Sequence, residues 1–165
     1  MYNKNKILIT GGAGYIGSHV TERFLKSKFK IITLDNLSRG YKKLINKRTK
    51  FIKADIKNFK KIKKIIHENQ IDTVIHLAGY ASVAESMAKK KIYYQNNVAG
   101  TLNIVKACKN SNVRNFIYSS SCSIYGNVKD KVDENNKPKP KSYYAFTKYQ
   151  SEKLIKNYAK INNFK

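Results

Sequence analysis

The chain has 165 residues, a length that suits one domain with a hydrophobic core of its own. Its formal net charge is +24, from 34 Lys and Arg against 10 Asp and Glu, and such a charge ordinarily suggests nucleic acid or an anionic membrane surface as partner. Few of these cations are arginines, and the lysines are spread along the whole chain. Because base-reading side chains and bidentate phosphate clamps favour Arg, we expect no specific nucleic-acid role, only weak, salt-sensitive binding to polyanions.

The sequence also indicates a cytoplasmic protein without a membrane span. It has no run of about 18 apolar residues and no charged leader followed by an apolar stretch. Cys108 and Cys122 lack the spacing of metal ligands or of a disulfide framework, which favours reduced thiols. The three histidines form no metal-binding set, and His76, inside an apolar run, is expected to be a hydrogen-bonded core histidine.

Strand-like and helix-like segments alternate along the chain, which predicts an α/β fold with a parallel sheet covered by helices on both faces. Short apolar runs indicate the strands, and apolar residues at helical spacing indicate the helices. The predicted strands cover residues 7–9, 31–34, 51–52, 73–77 and 116–118, and the predicted helices cover 15–27, 58–69, 93–110 and a segment from about 143.

Right-handed crossover connections would place these strands in the order 3-2-1-4-5, a doubly wound sheet. Ligands of such sheets collect at the carboxyl ends of the strands. Asp35, Asp55, the segment Leu77-Ala78-Gly79 and the segment Ser119-Ser120-Ser121 each follow a predicted strand directly. We therefore expect a binding site at this edge of the sheet.

Three glycines follow the first strand in the spacing Gly-x-x-Gly-x-x-Gly. A strand that turns sharply into a helix presents free backbone N–H groups and the positive end of the helix dipole, which suits a pyrophosphate. Gly11 would allow the tight turn, Gly14 the close approach of phosphates, and Gly17 the close packing of helix on strand. Taken alone, the motif is equally compatible with a purely structural turn.

An acidic residue follows the second strand at a spacing typical of dinucleotide sites. Asp35 lies 18 positions beyond Gly17, about where an acid meets the adenosine ribose hydroxyls. The alternative is a loop or N-cap acid ahead of Asn36.

The last predicted helix carries Tyr144 and Lys148 four residues apart, so their side chains share one face. A cation beside a phenol lowers the pKa of the phenol, which makes Tyr144 a candidate acid and base for a substrate hydroxyl. Ser121 could hold the substrate oxygen, or it could cap a serine-rich strand exit. Asn96 and Asn97 could make local hydrogen bonds, or could brace the cofactor ribose and the catalytic loop.

Together these segments resemble the extended short-chain dehydrogenase/reductases, in particular the NAD-dependent epimerase/dehydratase family and its UDP-glucose 4-epimerase branch. That family has a Rossmann-like fold, so the resemblance implies the same fold here. The matching segments are 10–19, 35–38 with Gly40, 54–56, 76–79, 85–86, 93–101, 119–121 with 125–126, and Tyr144 with Lys148.

The resemblance implies an NAD that stays bound through the catalytic cycle. It assigns the glycine turn to the pyrophosphate, the segment after the second strand to the adenosine ribose, and the segment after the third strand to the adenine. The residues assigned to NAD are Gly11, Gly14, Tyr15, Ile16, Gly17, Asp35, Asn36, Leu37, Ser38, Asp55, Ile56, Leu77, Ala78, Gly79, Asn96, Asn97, Ser119, Tyr144 and Lys148.

The catalytic residues implied by the resemblance are Tyr144, Lys148 and Ser121. Tyr144 would take the proton from the 4-hydroxyl of a UDP-hexose while hydride passes from sugar C4 to the nicotinamide. The 4-keto sugar would then turn over and receive hydride on its other face. Lys148 would lower the tyrosine pKa and hold the nicotinamide ribose, and Ser121 would bind the 4-oxygen.

The chain departs from the family pattern at three positions. The loop Ser121–Ile124 carries no acid, whereas related dehydratases and decarboxylases need one, so the loop favours epimerisation or reduction. Ala81 stands where many of the epimerases carry a lysine, and Tyr143 replaces the proline usual before the tyrosine. The last two differences bear on which sugar nucleotide is bound.

The family runs to roughly twice this length, within the usual range of one to two domains. We therefore expect residues 1–165 to form the NAD-binding domain, truncated before the sixth strand and the substrate domain, with the fifth strand left as an unpaired edge. The first hypothesis is an epimerase represented by its cofactor half, either as a fragment of a longer product or as a split gene product that another chain completes, with a homodimer as a further possible assembly. The alternatives are a non-catalytic NAD-binding remnant, another nucleotide-sugar reductase or dehydratase, and a polyanion-binding protein.

Overall fold

Within residues 6–27, 29–128, 131–162 and 165, which the computed structural model describes, five strands form one parallel sheet. Their order is β3-β2-β1-β4-β5, which confirms the predicted Rossmann-like topology. The strands are β1 (Lys6–Thr10), β2 (Lys30–Asp35), β3 (Lys50–Lys53), β4 (Thr73–His76) and β5 (Asn115–Tyr118).

Helices connect these strands and cover the sheet. None of the helices in the described ranges is long and apolar enough to cross a lipid bilayer. The α-helices are α1 (Tyr15–Lys26), α2 (Phe59–Glu68), α3 (Val83–Ala88), α4 (Lys90–Tyr93), α5 (Gly100–Cys108) and α6 (Tyr143–Asn162), with a π-helix over Tyr94–Ala99 and short 3-10 helices over Lys42–Leu44 and Cys122–Tyr125.

The core lies on both faces of the sheet because the central strands are apolar on both faces. On one face, the cluster that contains Ile7 of β1 packs against Phe24 of α1. On the other face, Leu8 shares a larger cluster with Ile62 of α2 and Ile104 of α5, and all three side chains are fully buried. The two layers of helices hold the sheet so that its carboxyl edge faces one side of the molecule.

The helix predicted roughly over residues 93–110 is present, but its bounds differ and it contains a π-helix. Helical backbone begins at Lys90, passes through the π-helix and ends at Cys108. Asn110 has a φ of +55° and lies beyond the helix. A π-helix accommodates one extra residue per turn, and the apolar spacing that predicted the helix does not register such an insertion.

The prediction that the outer edge of β5 is unpaired was wrong. The N–H of Phe116 donates to the carbonyl of Lys165 at 2.6 Å, and the N–H of Lys165 donates to the carbonyl of Arg114 at 2.8 Å. Lys165 thus satisfies backbone groups beside β5 that would otherwise face solvent. Residues 163–164, where a sixth strand was expected to begin, lie outside the described residues.

Candidate active site

A cleft with an empty volume of about 570 Å³ opens at the carboxyl ends of β1, β2 and β4. This is the edge of the sheet at which the sequence predicted a site. Ten of the residues assigned to NAD line the cleft, namely Gly11, Gly14, Asp35, Asn36, Ser38, Ile56, Leu77, Ala78, Gly79 and Asn96.

The turn from β1 into α1 requires glycine at its first position. Gly11 has a φ of +73°, and its N–H donates to the carbonyl of Leu34 at 2.8 Å. A Cβ at Gly11 would lie 2.8 Å from the backbone nitrogen of Ala78, so the end of β4 passes directly against this turn. Conformation and close approach therefore both exclude a side chain here.

The other two glycines of the motif have different surroundings. A Cβ at Gly17 would overlap the carbonyl oxygen of Gly11 and would lie 2.9 Å from the Cα of Gly12. At Gly14 a Cβ would meet only that carbonyl oxygen, at 3.2 Å. Gly17 is thus required by packing, as predicted, whereas Gly14 keeps the cleft open at the start of α1.

The N-terminus of α1 provides the features of an anion site. Gly14 is its N-cap, and within the described residues no side-chain cap hydrogen bond is made there. The first N–H groups of a helix have no partner within the helix, and the helix dipole favours a negative charge there. Tyr15 and Ile16, which open the helix, have 76% and 58% of their surface exposed.

Asp35 joins this turn to the loop after β2. One carboxylate oxygen accepts from the N–H of Ala13 at 3.1 Å, and the other accepts from the N–H of Leu37 at 2.8 Å. Each oxygen of a carboxylate can accept a second hydrogen bond, so these contacts leave capacity for hydroxyl groups of a ligand. Asp35 therefore stabilises the loop that follows it, which is the alternative role expected from the sequence. It also lines the cleft.

Asp55 holds the cleft wall without lining it. Its carboxylate accepts from the side-chain N–H₂ of Asn36 at 3.1 Å and from the N–H of Lys57 at 2.8 Å. Ile56, the next residue, lines the cleft and is buried. The apolar wall at this end of the cleft is thus formed by Ile56, and the polar contacts of Asp55 position it.

A chain of hydrogen bonds runs beneath the cleft. The N–H of Ala78 donates to the hydroxyl of Thr10 at 3.2 Å, and that oxygen lies 2.6 Å from Nδ1 of His76. Nε2 of His76 lies 2.9 Å from the hydroxyl of Thr101, which donates to the carbonyl of Asn97. Because Thr101 uses its proton on that carbonyl, His76 donates through Nε2 and accepts through Nδ1. His76 is the hydrogen-bonded core histidine that the sequence predicted.

Asn97 braces the site from behind. Its Oδ1 accepts from the N–H of Tyr80 at 2.8 Å, and its Nδ2 donates to the carbonyl of Tyr80 at 2.9 Å and to the hydroxyl of Thr147 at 3.2 Å. The neighbouring Asn96 donates to the same Oδ1 at 3.0 Å and lines the cleft. Both are buried, and the π-helix brings these consecutive residues to the site together.

Lys148 lies on the side of α6 that is near the cleft floor. Its Nζ donates to the carbonyl of Ser119 at 2.7 Å and lies 5.9 Å from the ring centre of Tyr144. A Cβ at Gly79, in the cleft floor, would lie 3.6 Å from the same nitrogen. Burial lowers the pKa of Lys148 to about 8, since the charged form loses its hydration. The structure thus brings Lys148, Tyr144, Ser119 and the cleft floor together.

The start of α6, which carries Tyr144, is held by α3. The N–H of Tyr144 donates to the hydroxyl of Ser86 at 2.9 Å, and Ser86 is fully buried. Ser142 accepts from the N–H of Ala145 at 3.1 Å and caps the first turn. The role of Ser86 was missed, because its partner lies 58 positions away in the sequence.

Ser121 has a capping role, one of the two roles that its sequence position allowed. Its hydroxyl accepts from the N–H of Ser123 at 3.2 Å and lies 2.8 Å from the hydroxyl of that residue, at the start of the 3-10 helix. A catalytic role for Ser121 stays a prediction.

The fold, the glycine turn and the Tyr-x-x-x-Lys pair define one class of protein. The chain belongs to the NAD dependent epimerase/dehydratase family, whose sequence profile matches residues 7–165.

Two similar proteins of known assignment show where the resemblance lies within this family. A UDP-glucose 4-epimerase of Klebsiella pneumoniae is 42% identical over 73% of this chain and 92% of the relative. A UDP-glucose 4-epimerase of Haemophilus influenzae is 38% identical over 93% of this chain and 48% of the relative.

Solved structures that are similar to this chain include epimerases as well. The UDP-Glc/GlcNAc 4-epimerase of Campylobacter jejuni superposes with a TM-score of 0.94 at 36% identity, over 98% of this chain and 51% of the other. The UDP-glucose 4-epimerase of Thermus thermophilus, solved in complex with NAD, gives a TM-score of 0.93 at 31% identity, over 97% and 52%. This chain therefore spans about half the length of these structures and of the Haemophilus relative.

Proposed function

We propose that this chain binds NAD in the cleft and forms the cofactor-binding half of a nucleotide-sugar 4-epimerase of the UDP-glucose/UDP-galactose type. The observation that carries the proposal is the position of Gly79. This residue lines the cleft that begins at the glycine turn, and a Cβ on it would lie 3.6 Å from the Nζ of Lys148. This proximity supports a site that extends from the anion cradle to the Tyr144–Lys148 pair.

The residues present fit NAD. The uncapped N-terminus of α1 would hold the pyrophosphate, Asp35 the adenosine ribose, and Ile56 the adenine. Gly14 supports this assignment, because it lines the cleft and a Cβ there would meet a single protein atom, the carbonyl oxygen of Gly11 at 3.2 Å. When bound, NAD supplies an acceptor and donor of hydride for sugar C4.

The proton chemistry belongs to α6 and the loop after β5. Tyr144 would accept the proton of the sugar 4-hydroxyl and later return it to the 4-oxygen. Lys148, fixed by the carbonyl of Ser119, would favour the phenolate by its charge. Ser121 would donate a hydrogen bond to the 4-oxygen and orient the sugar. The described loop after β5 carries no acid at 121–124, which supports epimerisation over loss of water.

The substrate assignment rests on relatives. A Thermotoga maritima UDP-glucose 4-epimerase, 33% identical with a TM-score of 0.93, was solved with UDP-glucose. We propose a UDP-hexose as substrate here. A homodimer or a completing C-terminal chain would supply further contacts to the substrate. We also propose a cytoplasmic location, which cell fractionation would test.

The proposal is tested first by the cofactor. We expect NAD to co-purify with the 165-residue chain and to be identified by mass spectrometry after denaturation. Absence of NAD, together with no binding of added NAD or NADH, would contradict the proposed function.

The catalytic assignment is tested by Tyr144→Phe in an assembly of this chain with the C-terminal half of the Haemophilus influenzae enzyme. Interconversion of UDP-glucose and UDP-galactose should fall by at least about a hundredfold, because the phenolic proton carrier is lost, while NAD stays bound. Tyr149→Phe is the matched control, since Tyr149 forms a second Tyr-x-x-x-Lys pair with exposed Lys153 on the same helix. Equal losses in both variants would remove Tyr144 from its role.

The chain alone should show weak or no epimerase activity, since it spans about half of its solved relatives. Robust turnover by the chain alone would contradict this expectation. Binding of NAD without turnover in any complemented assembly would instead support the non-catalytic alternative.

A further inference from the structure

An arginine joins the two walls of the cleft. Arg39 belongs to the loop after β2, and its Nη2 lies 2.6 Å from Oε2 of Glu85 on α3. The guanidinium carbon of Arg39 lies 3.9 Å from the ring centre of Tyr80, which follows β4. Arg39 and Tyr80 both line the cleft, and they follow strands that lie on either side of β1. The ion pair and the cation–π contact thus connect the loop after β2 to α3 and to the segment after β4.

The carboxylate that receives Arg39 is held in place by other groups. The hydroxyl of Tyr93 donates to Oε2 of Glu85 at 2.9 Å, and the Nζ of Lys89 donates to Oε1 at 3.2 Å. The Tyr93 side chain is fully buried. The hydrogen bond from Arg39 is the main cause that lowers the pKa of Glu85 to about 2, so this carboxylate is charged at neutral pH. Arg39 therefore meets a preorganised, ionised partner.

We propose that Arg39 and Glu85 form a clasp across the cleft, which must open for a dinucleotide to enter or leave. This inference rests on the proposed function, because the ligand is the dinucleotide assigned to the cleft. Arg39 is a positioning residue that connects the cleft-lining segment 36–40 to Tyr80, which also lines the cleft, and to Glu85 on α3 behind it. It acts on the rates of exchange of the ligand, and its own contacts are with the protein.

The physical consequence differs from that of an ordinary ligand contact. A ligand contact stabilises the complex, so its loss speeds dissociation and weakens affinity together. A clasp that is closed in the free protein and closes again over the bound ligand slows association and dissociation alike. Its loss should raise both rate constants while the dissociation constant changes little.

The test measures both rates for the full 165-residue chain. NADH is bound, excess NAD is added in a stopped-flow instrument, and the loss of NADH fluorescence gives the dissociation rate. Arg39→Gln should speed dissociation and association about fivefold each, as expected for losing one partly exposed ion pair and one cation–π contact. The dissociation constant should change less than about twofold.

Two further variants separate the clasp from net charge and from damage to the fold. Glu85→Gln should match Arg39→Gln, although the two substitutions change the net charge in opposite directions. Lys89→Gln is the matched control, because it also removes a positive charge that is paired with the Glu85 carboxylate. Unlike Arg39, Lys89 does not line the cleft. The rates of Lys89→Gln should stay within about twofold of those of the unsubstituted chain, because the buried Tyr93 still holds Glu85 when the exposed ion pair with Lys89 is lost. If Arg39→Gln fails to fold, the same rates are measured for Arg39→Lys, which retains the charge.

Each outcome decides one question. If the unsubstituted chain binds neither NADH nor NAD, the proposed function fails and the clasp with it. If it binds and Arg39→Gln exchanges NADH at the unsubstituted rate, the clasp is wrong and the proposed function stands. Equal acceleration by Lys89→Gln, or a loss of affinity that matches the faster dissociation, would also overturn the clasp.

Discussion

His76 is fully buried in β4 and has a hydroxyl partner at each ring nitrogen. Burial, with a smaller contribution from the nearby Lys148 charge, lowers the pKa of His76 from 6.5 to about 3. In the unfolded chain, His76 therefore binds a proton below about pH 6.5, whereas in the folded chain it binds one only below about pH 3. Stability is lost as the pH falls through this window, because protonation favours the unfolded state.

We predict that His76 contributes a loss of about 1.2 kcal/mol in unfolding free energy as the pH falls from 6 to 5. Urea unfolding at these pH values checks this, with His76→Gln lacking the contribution and His67→Gln, at an exposed position, as control. In NMR spectra the ring signals of His76 should not titrate between pH 7 and pH 5. A titration midpoint near 6.5 would contradict the neutral buried ring.

At the scale of elements, two glycines of the glycine turn allow the requirements of folding and of ligand binding to be tested separately. Gly17 lies where a Cβ would overlap the carbonyl of Gly11, whereas a Cβ at Gly14 has one contact at 3.2 Å. Gly14 also has a φ of −81° and a ψ of 169°, which alanine adopts without strain. The two positions therefore form a matched pair of test sites.

We predict that Gly17→Ala lowers the unfolding free energy by about 2 kcal/mol or more, since α1 must move away from the turn. Gly14→Ala should change stability by less than about 1 kcal/mol, yet weaken NAD binding at least about tenfold by placing a methyl group in the cradle. Urea unfolding and NADH titration measure the two effects. Unchanged NADH affinity in Gly14→Ala would place the pyrophosphate elsewhere.

The elements that the sequence predicted well are those with a strong local signal. The strands are short apolar runs between turn residues, and their order follows from the handedness of the crossovers, so all five were placed. α3 has six residues, too few for a readable helical period, and it was missed. The anchoring of Tyr144 by Ser86 and the Arg39–Glu85 contact join distant positions, which no local pattern contains.

For the whole molecule, the charge of +24 raises the question of polyanion binding. On α2 the lysines are exposed while Ile62, Ile65 and Ile66 are buried, the solvent-facing arrangement that the sequence predicted. Such lysines provide attraction without the bidentate geometry that selects a ligand. The resulting association should follow salt concentration rather than sequence.

We predict that binding to a labelled DNA duplex weakens about fortyfold between 50 and 200 mM salt, as expected for about three neutralised phosphates. Fluorescence anisotropy measures the affinity. Replacing Lys60 and Lys64 by Gln should have the same effect as replacing Lys153 and Lys156, because all four are exposed and the attraction is diffuse. A complex that persists at physiological salt, or a strong dependence on one pair, would support a dedicated nucleic-acid surface.

α3 places two consecutive residues against different parts of the site. Glu85 binds Arg39 of the cleft wall, and Ser86 binds the backbone of Tyr144 at the start of α6. Successive residues of a helix are rotated by about 100°, so this division of contacts depends on the exact phase of one short segment. Inserting or deleting a single residue there would turn both side chains away from their partners at once, and we expect natural variants of this protein to keep the spacing of these two residues invariant even where the surrounding helix changes in composition.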